Sequence, residues 1–226
     1  MTILRGKRYR KEAEKVNEAP MSVAEAVAKI KSFNSTKFDQ TVQCTLWLGI
    51  DPKQSDQIIR GAISLPHGIG KQKKVIAFCE EGDIETAKNA GAIEAGCDEL
   101  IAKVQGGWTD FDVAIASPKV MGKAGKLGRV LGPQGKMPSP KNGTVTADIV
   151  TAIKEFAAGK VEFKNDAGGN VHLVVGKQSF DGQKLVENIE AVISYIKKIK
   201  PASTKGTYIK KISLAAAMSP GVFIAV

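Results

Sequence analysis

The clearest pattern along the chain is the alternation over residues 41–50, TVQCTLWLGI. Val42, Cys44, Leu46, Leu48 and Ile50 fall on one side, and Thr41, Gln43, Thr45 and Trp47 on the other. A period of two predicts a half-buried strand. Just upstream, residues 22–33 set Val23, Ala26, Val27 and Ile30 at helical spacing. Ser22-Val-Ala-Glu25 begins that helix as a capping box, in which the hydroxyl accepts an orphan amide and Glu25 reaches back. Residues 3–16 read as a short polar helix or arm, 51–56 (DPKQSD) as a turn, and 57–65 as a second strand. LPHGIGK at 65–71 then interrupts the pattern. Pro66 restricts Leu65, and Gly68 and Gly70 loosen the backbone around them, so a domain boundary is expected there.

Beyond it the rhythm changes to alternating strands and helices. Residues 75–79 form a short apolar strand, 83–91 a helix with an Asp start and a Gly stop, 100–104 a strand, and 111–117 another. That alternation predicts an α/β sheet with both faces covered. Residues 121–145, MGKAGKLGRVLGPQGKMPSPKNGTV, hold six Gly, three Pro and five basic residues, and are too long for an ordinary connection. A helix is expected over 146–157, begun by Thr146 and stopped at Gly159. Segments 160–166 and 170–175 read as a hairpin around Ala-Gly-Gly. The longest helix is expected over 181–198, with Leu185, Ile189, Val192, Ile193 and Ile196 as its buried stripe and Pro201 beyond its end. Residues 206–214 and 222–226 read as strands. No internal repeat is present.

Composition narrows the class. A chain of 226 residues suits one large domain or two small ones, and 43% hydrophobic with 25% charged residues is ordinary for a soluble globular protein. No stretch approaches the ~18 consecutive apolar residues of a membrane span. The first residues read neither as a secretory signal nor as a transit peptide. Cys44, Cys79 and Cys97 form no CxxC pair and make a poor disulfide set, which predicts reduced thiols in a cytoplasmic protein.

Charge changes the picture more. The balance is 33 basic to 23 acidic residues, net +10. Residues 1–11, 113–147 and 191–226 together carry 17 basic residues and no acid; the rest carries 16 basic and all 23 acidic ones. Such segregation is what a polyanion-binding surface needs. An anionic membrane is a weaker partner, because none of the three segments reads as a basic amphipathic helix with Trp or Phe on its apolar side.

Catalytic signatures are missing. The chain has no GxxxxGK[ST], GxGxxG, GxSxG or HExxH motif. Only His67 and His172 supply imidazoles. His67 falls in the 65–71 break, and His172 lies in a strand between Val171 and Leu173, where a plain surface role is the competing reading. Nothing local favours a Cys–His nucleophile. Glu80/Glu81 and Asp98/Glu99 read as loop and helix-start charges, and no acidic cluster has the turn glycines of a metal loop. Neither catalytic residue, cofactor nor metal is expected. Basic Gly-rich loops do suit phosphates, because the backbone can approach closely. Phe38, in Lys37-Phe38-Asp39 ahead of the first strand, is either a core-edge ring or an exposed contact.

Three runs together resemble a known family. LGIDPKQSDQIIRGAISLPHGIGK (48–71), FDVAIASPKVMGKAGKLGRVLGPQGKMPSPKNGTV (111–145) and VEFKNDAGGNVHLVVGKQSFD (161–181) are similar, in order and spacing, to the bacterial large-subunit ribosomal protein L-one (uL-one) family of the lateral stalk. The resemblance covers roughly residues 5–222. It implies a two-domain α/β protein: a discontinuous α/β sandwich domain from residues 1–66 and 159–226, with an inserted Rossmann-like α/β domain at 67–158. Leu65, Pro66, His67, Gly68 and Gly159 would form the hinge.

It also implies a structural ribosomal protein rather than an enzyme, cytoplasmic and monomeric when free. Its implied partners are large-subunit rRNA, exit-site tRNA, whose release it assists, and its own mRNA, whose translation it represses. For the rRNA site, the resemblance implies Lys37, Phe38, Thr41, Lys164, Asp166, Gly169, His172, Lys205, Ala217, Met218, Ser219 and Pro220. Lys123, Lys126, Arg129, Lys136 and Lys141 would contact tRNA or neighbouring rRNA from the inserted domain. Asp166, being acidic, suits a sugar or base edge or the orienting of a neighbouring Lys. In the last loop the family reads Thr-Thr/Ser-Met-Gly-Pro. Here Met218 and Pro220 match, Ala216 and Ala217 lack the hydroxyls, and Ser219 replaces Gly. Each missing hydrogen bond costs on the order of 1 kcal/mol, so Ala217 and Ser219 hold positions in the site rather than act as donors. Gln43 stands where an acid is common. The alternatives from other classes are a small-molecule enzyme on the inserted domain and a nonspecific basic nucleic-acid protein.

Overall fold

A computed structural model describes residues 6–16, 19–33 and 36–225. The chain divides into two compact units, Met1–Gly70 with Val161–Val226, and Lys71–Lys160. Elements are numbered in chain order.

The first unit is built on a four-stranded antiparallel sheet in the order β7(Asn170–Lys177), β1(Thr41–Leu48), β8(Ile209–Ala216), β9(Val222–Ile224). Period-two alternation is realised in β1, where Val42, Cys44, Leu46 and Leu48 are buried. Helices α2(Val23–Ser32) and α8(Gly182–Lys198) pack against that buried face. The capping box of α2 forms as expected: Glu25 N–H donates to Ser22 Oγ (3.3 Å) and Ser22 N–H to Glu25 Oε2 (3.0 Å). The other face of the sheet, where Gln43, Trp47, His172 and Lys211 are exposed, is uncovered among the described residues. A separate two-stranded ribbon, β2(Arg60–Ile63) with β6(Val161–Lys164), lies against α8 through Phe163, whose ring meets Tyr195 edge-on at 6.0 Å. Of the polar arm expected over 3–16, residues 3–5 lie outside the described residues, and the rest contains α1(Lys7–Ala13).

The expected hairpin at 160–175 needs correction. Its turn exists, but β6 and β7 belong to different sheets, joined by one bridge, Asn165 to Val171. Asn165 also accepts the Ile59 amide on its Oδ1 (2.9 Å), which ties the end of β6 to the start of β2.

The second unit has a parallel sheet, β4(Glu94–Gly96), β3(Val75–Phe78), β5(Val113–Ala116), with helices on both faces. α3(Ile84–Asn89) and α7(Ile149–Ala157) take one face, and α4(Asp98–Gln105) the other. Residues 100–104 are therefore helical rather than a strand. Leu100, Ile101 and Val104 are buried at helical spacing, and their apolar content masks the period in so short a run. The Gly-rich stretch is no extended loop, since α5(Met121–Ala124), α6(Gly128–Leu131) and the turn between them bury Ala124, Leu127 and Leu131. Asp148, not Thr146, caps α7, accepting Thr151 N–H at 3.1 Å.

Candidate nucleic-acid interface

Three segments far apart in sequence meet beside the start of β1, and two glutamines fasten them. Gln40 is fully buried. Its Nε2 donates to Gln178 Oε1 (3.1 Å), its Oε1 accepts Met218 N–H (2.8 Å), and its carbonyl accepts Gln178 N–H (2.8 Å). Gln178 Nε2 in turn donates to the carbonyls of Ile30 (3.0 Å) and Phe33 (3.3 Å) at the end of α2. Ala217 N–H donates to the Thr41 carbonyl (3.0 Å), and Asp39 accepts the Ser179 amide and hydroxyl (3.1 and 2.8 Å). A buried, satisfied polar network of this kind fixes one arrangement of loops.

What the clamp displays is apolar and cationic. Phe38 and Met218 are 52% and 53% exposed. Lys31, Lys37, Thr36 and Gln178 line the hollow beside Phe38. Lys177 Nζ donates to Thr41 Oγ1 (2.9 Å), bringing a cation to the hydroxyl. Arg8 Nη2 donates to the Met218 carbonyl (2.9 Å), which draws the first acid-free segment to the same place.

The last loop is only half outward. Ala217 and Met218 are exposed, whereas Ser219 and Pro220 are buried. Ser219 Oγ accepts the Ala216 amide (2.9 Å) and donates to the Pro220 carbonyl (3.1 Å), so its hydroxyl closes the turn and faces the protein.

Asp166, Gly169 and His172 lie at the other end of β1. Asp166 Oδ1 accepts the amides of Gly168 (2.8 Å) and Asn170 (2.7 Å), and Oδ2 accepts Asn170 Nδ2 (3.0 Å). The Asn170 side chain first, then backbone amides and His172, hold the carboxyl down at about 2. This acid organises its own turn. Gly169 adopts φ +76° and its carbonyl accepts Leu48 N–H (3.0 Å), pinning the turn to β1. His172 Nε2 faces Asp166 Oδ2 (3.5 Å) and Nδ1 faces Thr45 Oγ1 (3.2 Å), a pattern met by Nε2–H with the Thr45 hydroxyl donating. Thr45 sits between His172 and Ser213 on the uncovered face.

Other expected residues lie apart. Lys164 is exposed on the ribbon, and Lys205 is exposed in the connection from α8 to β8. Leu65–Gly68 is tied to α8: buried Asn188 accepts His67 N–H on Oδ1 (3.1 Å) and donates to the Gly68 carbonyl (3.1 Å), and His67 pairs with Glu187. Gly159 follows α7 with φ +108°. In the second unit, Lys123 pairs with Asp98 (2.8 Å) and Lys119 with Glu80 (3.1 Å). Lys136 Nζ donates to the Thr109 carbonyl (2.9 Å) and lies 5.1 Å from the Phe111 ring centre. Lys126, Arg129 and Lys141 are partly or fully exposed with no ion pair among the described residues.

Among the described residues no group of three or more His, Cys, Asp or Glu stands together for a metal. Cys44 is buried inside β1 and its thiol is pushed up to about 12 by burial. Sequence reasoning missed Gln40, Gln178, Lys177 and Arg8. Partners 138 and 210 residues apart leave no local signal.

The chain matches the family model described as "Ribosomal protein L1p/L10e family" over residues 30–220. It is 48% identical over 218 residues to the large ribosomal subunit protein uL1 of Chlorobaculum tepidum, covering 96% of this chain and 94% of that one. It is 49% identical over 221 residues to the large ribosomal subunit protein uL1 of Cutibacterium acnes, covering 97% and 95%. Through the order of its motifs, its two α/β units and these matches, the chain belongs to the ribosomal protein L1p/L10e family.

Proposed function

We propose that the first unit grips a folded segment of large-subunit rRNA through the loops clamped by Gln40 and Gln178 and the sheet face beside them. As a member of a ribosomal family, the chain is a structural protein and not an enzyme. The observation that carries the rRNA reading is the clamp: a pre-fixed surface on which Phe38 and Met218 stand exposed beside Lys37 and Lys177. Preformed loops avoid the ordering cost of binding, and exposed rings with nearby cations suit unstacked RNA bases and phosphates.

Lys126, Arg129 and Lys141 of the second unit remain for exit-site tRNA or neighbouring rRNA. Assistance to tRNA release and repression of the chain's own mRNA, by a fold resembling the rRNA site, complete the proposal.

The test is competition of a stalk-region rRNA fragment against tRNA and duplex DNA at moderate salt. Preference for the fragment supports the reading, and equal affinities reject it in favour of a nonspecific basic protein. Phe38→Ala is expected to weaken the fragment roughly tenfold with the fold intact; unchanged affinity removes Phe38 from the site.

A further inference from the structure

The uncovered face of the sheet carries a second feature, about 20 Å along β1 from Thr41 at ~3.3 Å per residue. Trp47 is 41% exposed there, with Asn170 opposite it on β7 and Lys211 opposite it on β8. Between Trp47 and Leu48 the register slips: Trp47 faces Lys211 but Leu48 faces Ile209, so Lys210 is one residue extra. Bulges of this kind re-aim side chains. Here consecutive Lys210 and Lys211 are both exposed where a regular strand would turn one of them inward. Lys210 Nζ lies 4.8 Å from the Trp47 ring centre, and Lys211 Nζ 5.3 Å from that of Phe223, the half-buried ring on the neighbouring strand.

The setting is one-sided in charge. β1, β7, β8 and β9 contain no Asp or Glu. No ion pair among the described residues joins Lys210 or Lys211. One ammonium group held over a large exposed ring and a second over the neighbouring half-buried ring, with amide and hydroxyl side chains along the same rows, match an unpaired nucleotide: a flat base for the exposed ring and phosphates for the lysines.

We propose that Trp47 with Lys210 and Lys211 is a second RNA subsite, a platform on which an unpaired ribonucleotide of the bound RNA stacks while the two ammonium groups hold its flanking phosphates. This rests on the rRNA reading above and adds a contact at the opposite end of β1 from Phe38.

Fluorescence tests it directly. The chain has two tryptophans, so in full-length protein carrying Trp108→Phe the emission reports Trp47 alone. Titration with the stalk-region rRNA fragment is expected to quench that emission. A single-stranded oligoadenylate of about ten nucleotides should quench it at higher concentration. Trp47→Leu is expected to weaken the fragment roughly tenfold and Trp47→Phe to restore most of it, because an aromatic face and not apolar bulk is required. Unfolding midpoints confirm that both variants fold. Full-strength fragment binding with unchanged Trp47 emission, and wild-type affinity for Trp47→Leu, overturns the platform and leaves the Phe38 surface standing. Failure of the fragment to bind the unmutated chain defeats the rRNA reading and the platform together.

Discussion

The two units carry positive charge in opposite ways. In the second, acids brought in by the fold cancel part of an acid-free run: Lys119 meets Glu80, 39 residues away, and Lys123 meets Asp98, 25 away. In the first, Lys210 and Lys211 sit on aromatic rings of a sheet whose four strands contain no acid. A run of lysines in sequence is therefore not yet a positive surface. Potential survives where the fold leaves cations unpaired, and binding specificity needs shaped apolar and polar groups among them. The first unit supplies those groups and exposes one sheet face; the second covers both faces of its sheet and neutralises part of its charge internally.

That contrast can be broken most forcefully at its foundation. Gln40→Leu strips the acceptor of the Met218 amide and a partner of Gln178 from a buried place. It should cost about 3 kcal/mol of stability and detach the loops. A fall in unfolding midpoint together with weaker rRNA binding is expected; a stable variant binding fully would show that the loops hold without the clamp.

Charge neutralisation sharpens the comparison next. Lys210→Gln with Lys211→Gln should flatten the log–log salt dependence of rRNA-fragment binding by about 0.7 for each single-strand phosphate left without its lysine. Lys119→Gln with Lys123→Gln should leave it unchanged, because those cations already have partners. Equal effects from the two pairs would erase the distinction between the units.

Asp166 gives a pH signature in the first unit. Its carboxyl titrates at about 2 in the fold and near about 3.9 in an unfolded chain. A depressed folded value stabilises above about pH 4, and that contribution is lost as pH falls from ~4 towards ~2. Asp166→Asn should lower the unfolding midpoint at pH 7, with the gap to wild type closing towards pH 2. A gap independent of pH would mean that shape, not charge, holds the turn.

The smallest effect is expected at Tyr208, whose buried hydroxyl has no hydrogen-bond partner among the described residues and whose pKa burial pushes up to about 12. Tyr208→Phe removes an unsatisfied group, so stability should stay level or rise by about 1 kcal/mol, with rRNA affinity unchanged. A clear loss would reveal a partner for that hydroxyl.

How much of the molecule is legible in its sequence depends on range. The alternation of β1 and the capping box of α2 are local, and both are present in the fold. Helix α4 reads as a strand because Leu100, Ile101 and Val104 sit in a segment of only eight residues, too short for apolar content to declare its period. The turn at 166–169 is visible from Gly169, but its strands part into different sheets, which only long-range pairing decides. Trp47 lies on the polar side of its strand in the alternation itself. Its two lysines become visible only through the bulge in β8, and the Gln40–Gln178 clamp only through the fold.

The central claim is that RNA is held by the first unit, at both ends of β1. Ultraviolet crosslinking of the full chain to the stalk-region rRNA fragment, with mapping of the modified peptides, tests it most directly. Adducts are expected on the peptides containing Phe38, Trp47 and Met218. Adducts confined to residues 113–147 would contradict it.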